Sequence, residues 1–126
     1  MIIQIIGLPG SGKTTLAKAL ADRINAIVLN ADEVRADLNS DLGFSPEDRI
    51  EQARRMGALS RLLDSQGHIV IADFVCPTEE ARSAFGKKDI RIFMDRIQEG
   101  RFEDTNRMFE RPAKFDIGFH SPNISV

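Results

Sequence analysis

Nine residues near the start of the chain have types and spacing that could do chemistry: Gly7-Leu8-Pro9-Gly10-Ser11-Gly12-Lys13-Thr14-Thr15. They match the pattern G-x-x-x-x-G-K-[ST], in which the backbone N–H groups of a glycine-rich turn surround phosphate oxygens. In such a loop Lys13 reaches the β- and γ-phosphates and the Thr14 hydroxyl ligates Mg²⁺. The whole run from Gly7 to Thr15 is therefore a candidate ATP site. Lys13 is a candidate catalytic residue. Thr14 is the candidate metal ligand, with water and phosphate completing the shell around Mg²⁺. An incidental lysine beside a glycine turn would not need the context seen here, a β-branched apolar run before the loop and a helical repeat after it.

Those flanking elements must position the loop. Ile2, Ile3, Ile5 and Ile6 form a short run suited to a buried parallel strand, predicted over 2–6. Leu16, Ala17, Leu20 and Ile24 recur at helical spacing, predicting a helix over 13–24. Further strands are predicted at Ala26–Leu29, Ile69–Ala72 and Ile90–Met94, with a short fifth at Phe115–Phe119. Asn30 opens a short helix with Glu33 three residues on, a capping-box spacing. Ser45-Pro46-Glu47-Asp48 is a helix start, with Ser as cap, Pro in the first position and acids in the first turn; that helix runs to about Ser65 and stops at Gly67. Thr78-Glu79-Glu80 opens another, ending near Gly86. Strands alternating with helices predict a single α/β domain over 1–126. The expected fold is a P-loop NTPase-type three-layer α/β/α with a mainly parallel sheet of four or five strands. Ligands of such a sheet bind at the carboxyl ends of its strands.

The composition narrows the class of partner. Of 126 residues, 42% are hydrophobic and 29% charged, and the net charge of −2 supplies no field for nucleic acid or a membrane surface, so neither is expected as a partner. The 17 basic residues are twelve Arg and five Lys, and arginine suits bidentate recognition of phosphate or sulfate. The one cysteine, Cys76, excludes an internal disulfide framework and fits a reducing, cytoplasmic setting. The first residues read as a strand rather than a signal peptide, and no apolar run reaches membrane-spanning length. With no Trp or Tyr, any stacking on a base falls to the eight phenylalanines.

Three segments follow strand ends or open a helix facing the same cleft: Leu29-Asn30-Ala31-Asp32-Glu33-Val34-Arg35, the block from Asp41 to Gln52, and Ala72 to Pro77. In and around them the chain reads N-A-D-E-V-R, D-L-G-F-S-P-E-D-R-I-E-Q-A-R-R and H-I-V-I-A-D-F-V-C-P. In order and spacing, residues 1–86 resemble the adenylylsulfate kinases, whose segments read G-D-N-V-R, D-L-G-F-S-x-x-D-R-x-E-N-x-R-R and I-V-x-x-x-F-x-S-P. The D-L-G-F-S block is far more specific than the phosphate loop. The resemblance implies an ATP-dependent phosphotransferase acting on the 3′-hydroxyl of a small nucleotide, adenylylsulfate, in sulfate assimilation. It implies that Asp32 contacts the acceptor hydroxyl and acts as its base or as a partner of Mg²⁺-bound water, a role one carboxylate fills in phosphoryl transfer. Asp73 is the second-ranked carboxylate, since the family pattern does not require an acid there. Arg35 and Arg49 are implied to hold the sulfate–phosphate portion and Phe44 to stack on the adenine. Gln52, three residues from Arg49 on the same helix face, joins the substrate set. The family commonly forms homodimers, which becomes an expectation here.

The chain departs from the family in three places. Gln52 stands for Asn, and Cys76 stands where Ser is common; a packed thiol is the plain reading of Cys76. After Met94 the family's lysine-bearing lid segment is missing. The stretch from Glu99 to Pro112 holds arginines and phenylalanines in its stead, so Arg101 or Arg107 could neutralise γ-phosphate charge and Phe102 or Phe109 could complete an adenine clamp. His68 and His120 show no ligand spacing or carboxylate partner. Two other functions stay open: a P-loop kinase for a different nucleotide or hydroxyl acceptor, and a non-catalytic nucleotide-binding module.

Overall fold

The computed structural model of the protein describes residues 1–95 and 107–120. Every residue of strand β1 (Ile2–Ile6) is buried, which is why an unbroken apolar run, rather than an alternating one, forms it. The loop that follows leads into helix α1 (Lys13–Ile24). Strand β2 (Ile27–Asn30) runs without a gap into helix α2 (Ala31–Asp37). Helix α3 (Pro46–Ser65), strand β3 (Val70–Asp73), helix α4 (Glu79–Phe85), strand β4 (Ile90–Asp95) and strand β5 (Ile117–His120) complete the order.

The five strands form one sheet in the order β2-β3-β1-β4-β5, and every pair is parallel. This agrees with the α/β expectation. β1 is the central strand, so the phosphate loop leaves the middle of the sheet at its carboxyl edge. The two faces of β1 feed two cores. Ile2 and Ile6 pack with Val70, Phe74, Phe93, and with Ala53, Met56, Ala81 and Phe85 from α3 and α4. Ile3 and Ile5 pack with Ile71, Ile92, Met94 and Ala17 under α1. The Phe74 and Phe85 rings meet at 5.4 Å, and Arg61 Nη1 donates to the Phe85 carbonyl at 2.6 Å, satisfying the end of α4.

The predicted helix caps form. Ser45 Oγ accepts from the Asp48 N–H at 3.1 Å and Thr78 Oγ1 from the Ala81 N–H at 3.1 Å. The strand boundaries shift. β2, β3 and β4 each run one residue further than their apolar runs and end on Asn30, Asp73 and Asp95. β5 starts at Ile117 rather than Phe115 and ends on His120. No helix among the described residues is long and apolar enough to cross a membrane.

Candidate active site

The loop between β1 and α1 is shaped by two glycines. A Cβ on Gly7, at φ 153°, would stand 2.7 Å from the Met94 carbonyl oxygen, so only glycine lets the loop cross β4 this closely. Gly12, at φ 96°, is the left-handed N-cap of α1 and offers no side chain to its first turn. The first N–H groups of α1 are thus left for an anion, and the helix dipole favours negative charge there. Lys13 is buried, and its Nζ donates to the Leu8 carbonyl at 3.1 Å inside the loop. Ser11 is also buried, and its Oγ has no hydrogen-bond partner among the described residues. Pro9, Gly10, Lys13 and Thr14 line a cleft of 850 Å³.

The register of the sheet brings three strand ends to this loop. In the ladders, Asp73 stands opposite Ile5 of β1 and opposite Asn30 of β2. Its carboxylate, on a residue only 1% exposed, accepts at Oδ2 from Thr14 Oγ1 at 2.9 Å and from Asn30 Nδ2 at 2.9 Å. Asp73, ranked second from sequence, therefore sits against the candidate metal ligand Thr14. Asn30 belongs to the site as well. Its part was legible only as a helix cap, which it also is: its Oδ1 accepts from the N–H groups of Asp32 at 3.0 Å and Glu33 at 3.2 Å.

The opposite wall comes from α2, the loop after it and the first turns of α3. Asp32, Arg35, Phe44, Arg49 and Gln52 all line the cleft. Phe44 is 62% exposed and two guanidinium groups lie near its ring, Arg35 Cζ at 4.4 Å and Arg49 Cζ at 5.1 Å from the ring centre. Arg35 Nη1 also donates to the Gly43 carbonyl at 2.5 Å, and Asp48 Oδ2 accepts from the Gly43 N–H at 2.9 Å, so the residue before Phe44 is tied to both α2 and α3. Partial burial pulls both arginines below their ordinary value; Arg35 adds to the effect on Arg49, and the Asp32 charge opposes it on both. Two desolvated cations facing an open cleft form a receptor for an anion.

Gln52 is brought to this wall, but its amide is engaged within the protein. Its Oε1 accepts from Asn39 Nδ2 at 2.8 Å and its Nε2 donates to the Ala31 carbonyl at 3.3 Å. It ties α3 to α2 and so orients the wall that it also helps to line.

The cleft floor is the turn after β3. Cys76 is buried, with φ 45°, and burial pushes its thiol up to about 12, the packed thiol read from the sequence. The buried Arg82 holds this turn through Nε to the Cys76 carbonyl at 3.1 Å and reaches the Glu110 carbonyl with Nη2. The Glu110 N–H donates in turn to the Pro77 carbonyl at 2.6 Å. The segment after 106 is thereby strapped under the cleft, and Met108 is its contribution to the lining.

This arrangement corrects part of the lid expectation. The Phe109 ring stacks at 6.0 Å on Phe93 and lies 5.4 Å from Arg82 Cζ, so it is core packing and not a clamp. Arg111 makes paired hydrogen bonds to Asp95, at 2.7 and 2.6 Å. Arg101 and Phe102 lie outside the described residues. His120 does have a carboxylate partner, with Nδ1 3.1 Å from Asp95 Oδ2, because β5 pairs in register with β4 and sets the two side by side.

A parallel sheet in the order 2-3-1-4-5, with a phosphate loop leaving its central strand and an anion-binding wall across the cleft, is the layout of the P-loop kinases. The sequence model of the adenylylsulphate kinase family matches residues 1–111, and the chain belongs to that family. It is 37% identical to the adenylyl-sulfate kinase of Paraburkholderia xenovorans over 98% of this chain and 74% of that one. It is 41% identical to the Bacillus pumilus enzyme over 82% of this chain, but that match takes in only 51% of the Bacillus chain, so the protein spans about half the length of some curated relatives. The Mycobacterium tuberculosis APS kinase, solved in complex with AMPPNP and APS, superposes with a TM-score of 0.83 at 26% identity, covering 98% of this chain and 89% of that one.

Proposed function

We propose that this protein transfers the γ-phosphate of ATP to the 3′-hydroxyl of adenylylsulfate, giving 3′-phosphoadenylylsulfate and ADP. The observation that carries the reading is the continuity of one 850 Å³ cleft from Lys13 and Thr14 to Asp32, Arg35, Phe44 and Arg49. The relative solved with both an ATP analogue and adenylylsulfate bound supports it. In the family the chain belongs to, the acceptor is a nucleotide anion, and the guanidinium pair with its aromatic platform suits that chemistry.

The residues divide the work by position. The backbone N–H groups of Gly7 to Thr15 and the Lys13 ammonium hold the ATP phosphates. Arg35 and Arg49 hold the phosphosulfate and Phe44 carries the adenine. Asp32, on the first turn of α2 and open to the cleft, orients the acceptor hydroxyl and takes its proton as the phosphoryl group transfers in line. Thr14 Oγ1 and the Asp73 carboxylate, 2.9 Å apart, are hard oxygen donors and fit Mg²⁺, which takes few protein ligands beside phosphate and water. When bound, that ion neutralises charge on the β- and γ-phosphate oxygens. The reading requires ATP, which the cytoplasm supplies, and carries the family's homodimer as its expected assembly.

ADP release from MgATP, measured with and without adenylylsulfate and then with a nucleotide panel, tests the assignment. Stimulation by adenylylsulfate alone is expected. Stimulation by another acceptor moves the activity to that acceptor, and tight ATP binding with no turnover makes the protein a nucleotide-binding module.

A further inference from the structure

Asn30 is the last residue of β2 and the N-cap of α2, and its one amide is used in both directions. The nitrogen donates to Asp73 Oδ2 at 2.9 Å, the same oxygen that accepts from Thr14 Oγ1. The oxygen accepts from the Asp32 and Glu33 N–H groups at 3.0 and 3.2 Å. The partners assign the amide: two N–H donors can only face the oxygen, so the nitrogen faces the carboxylate. The ladder holds the pair in place, because Asn30 stands directly opposite Asp73.

We propose that Asn30 is a positioning residue that holds the Asp73 carboxylate toward Thr14 and, through the same rigid amide plane, fixes α2 and its Asp32 relative to the metal side of the cleft. The inference rests on the kinase reading above. Only an amide does both jobs at this position. An aspartate would cap α2 equally well but would set two carboxylates against each other where one donor now stands. A serine would cap α2, but its hydroxyl stops short of Asp73. Asp73, held by two donors on Oδ2, keeps its other oxygen for an ion or for the water of its shell. The consequence is that the metal-side carboxylate and the acceptor-side carboxylate are set by one side chain rather than by two independent elements.

The test uses the full chain, a fluorescent ATP analogue and Mg²⁺, with no acceptor, so a wrong acceptor assignment leaves it unaffected. Affinity is measured in EDTA and in excess Mg²⁺ for the wild type, Asn30→Ser, Asp73→Asn and the double variant. Serine keeps the cap, so the affinity of Asn30→Ser in EDTA is expected to match the wild type, while its melting temperature falls by a few degrees for the donor lost from buried Asp73. The tightening by Mg²⁺ is expected to shrink at least fivefold in Asn30→Ser and in Asp73→Asn, with no further loss in the double variant. An unchanged Mg²⁺ increment in Asn30→Ser would overturn the proposal, as would losses that multiply in the double variant.

Discussion

Phe44→Ala separates substrate recognition from fold maintenance more cleanly than any other single change. The ring is 62% exposed, so its truncation removes little core contact. What it loses within the protein is the pair of guanidinium contacts at 4.4 and 5.1 Å. Cation–π pairs at exposed sites contribute roughly 0.5–1 kcal/mol each. With both arginines still held by other partners, the net loss of stability is about 1 kcal/mol, a fall of roughly 3–5 °C in Tm for a domain of this size. The stack on a substrate adenine is worth more, about 1–3 kcal/mol per base. That converts to a roughly 5- to 150-fold rise in KM for adenylylsulfate. Because the stack is present in both ground and transition states, kcat is expected to hold. The KM for ATP is expected to stay within about twofold, since Phe44 lies on the wall opposite the phosphate loop. Phe44→Leu, which keeps bulk without the π-face, should fall between. Steady-state kinetics with each substrate varied, paired with thermal melts, read all of this. If the melting temperature falls while KM for adenylylsulfate stays within twofold of the wild type, Phe44 is a packing residue and the substrate wall is misassigned.

The other expectations are shorter. Asp32→Asn keeps the helix but removes the base, and should lower kcat about 10²- to 10⁴-fold with little change in either KM, read by ADP release. The Cys76 thiol, pushed up to about 12 by burial, should resist a thiol-specific chromogenic reagent at pH 8 in the folded protein and react at once in urea. Asp95 is held below the usual carboxylate range chiefly by Arg111, and next by His120. A depressed folded value means stability that is present above the unfolded pKa of about 3.9 and lost as pH falls through the folded value. Arg111→Gln should therefore lower Tm at pH 7 by a few degrees and flatten the acid limb of the Tm profile below about pH 4; an unchanged limb would remove Asp95–Arg111 from the account.

The sequence was most legible where apolar spacing and capping chemistry decide the structure. The phosphate loop, the caps at Asn30, Ser45 and Thr78 and the run of each strand could all be read because each depends on neighbours in the chain. It was least legible at the strand ends. Reading by hydrophobic runs stops a strand at its last apolar residue, yet β2, β3 and β4 each continue one residue further in the ladder, to Asn30, Asp73 and Asp95. A parallel sheet puts functional side chains at that position, and two of the three, Asn30 and Asp73, line the cleft, while Asp95 is taken up by Arg111 and His120. Asp73 was visible as a carboxylate after a strand, but its contact with Thr14 depends on the β3–β1 register, which no local signal encodes. Phe109 failed in the opposite direction. Its side-chain type suits a ligand, yet it is consumed by contacts between elements distant in sequence, with Phe93 and Arg82.

The central claim is that one cleft brings the γ-phosphate of ATP to the 3′-hydroxyl of adenylylsulfate. Incubation of the wild-type protein with Mg²⁺, γ-³²P-labelled ATP and adenylylsulfate, followed by chromatographic separation of the products, tests it directly. The account predicts label in 3′-phosphoadenylylsulfate in equal amount to the ADP formed, and none with Lys13→Ala. Label recovered only as inorganic phosphate, or on an acceptor other than the 3′-hydroxyl of adenylylsulfate, would contradict it.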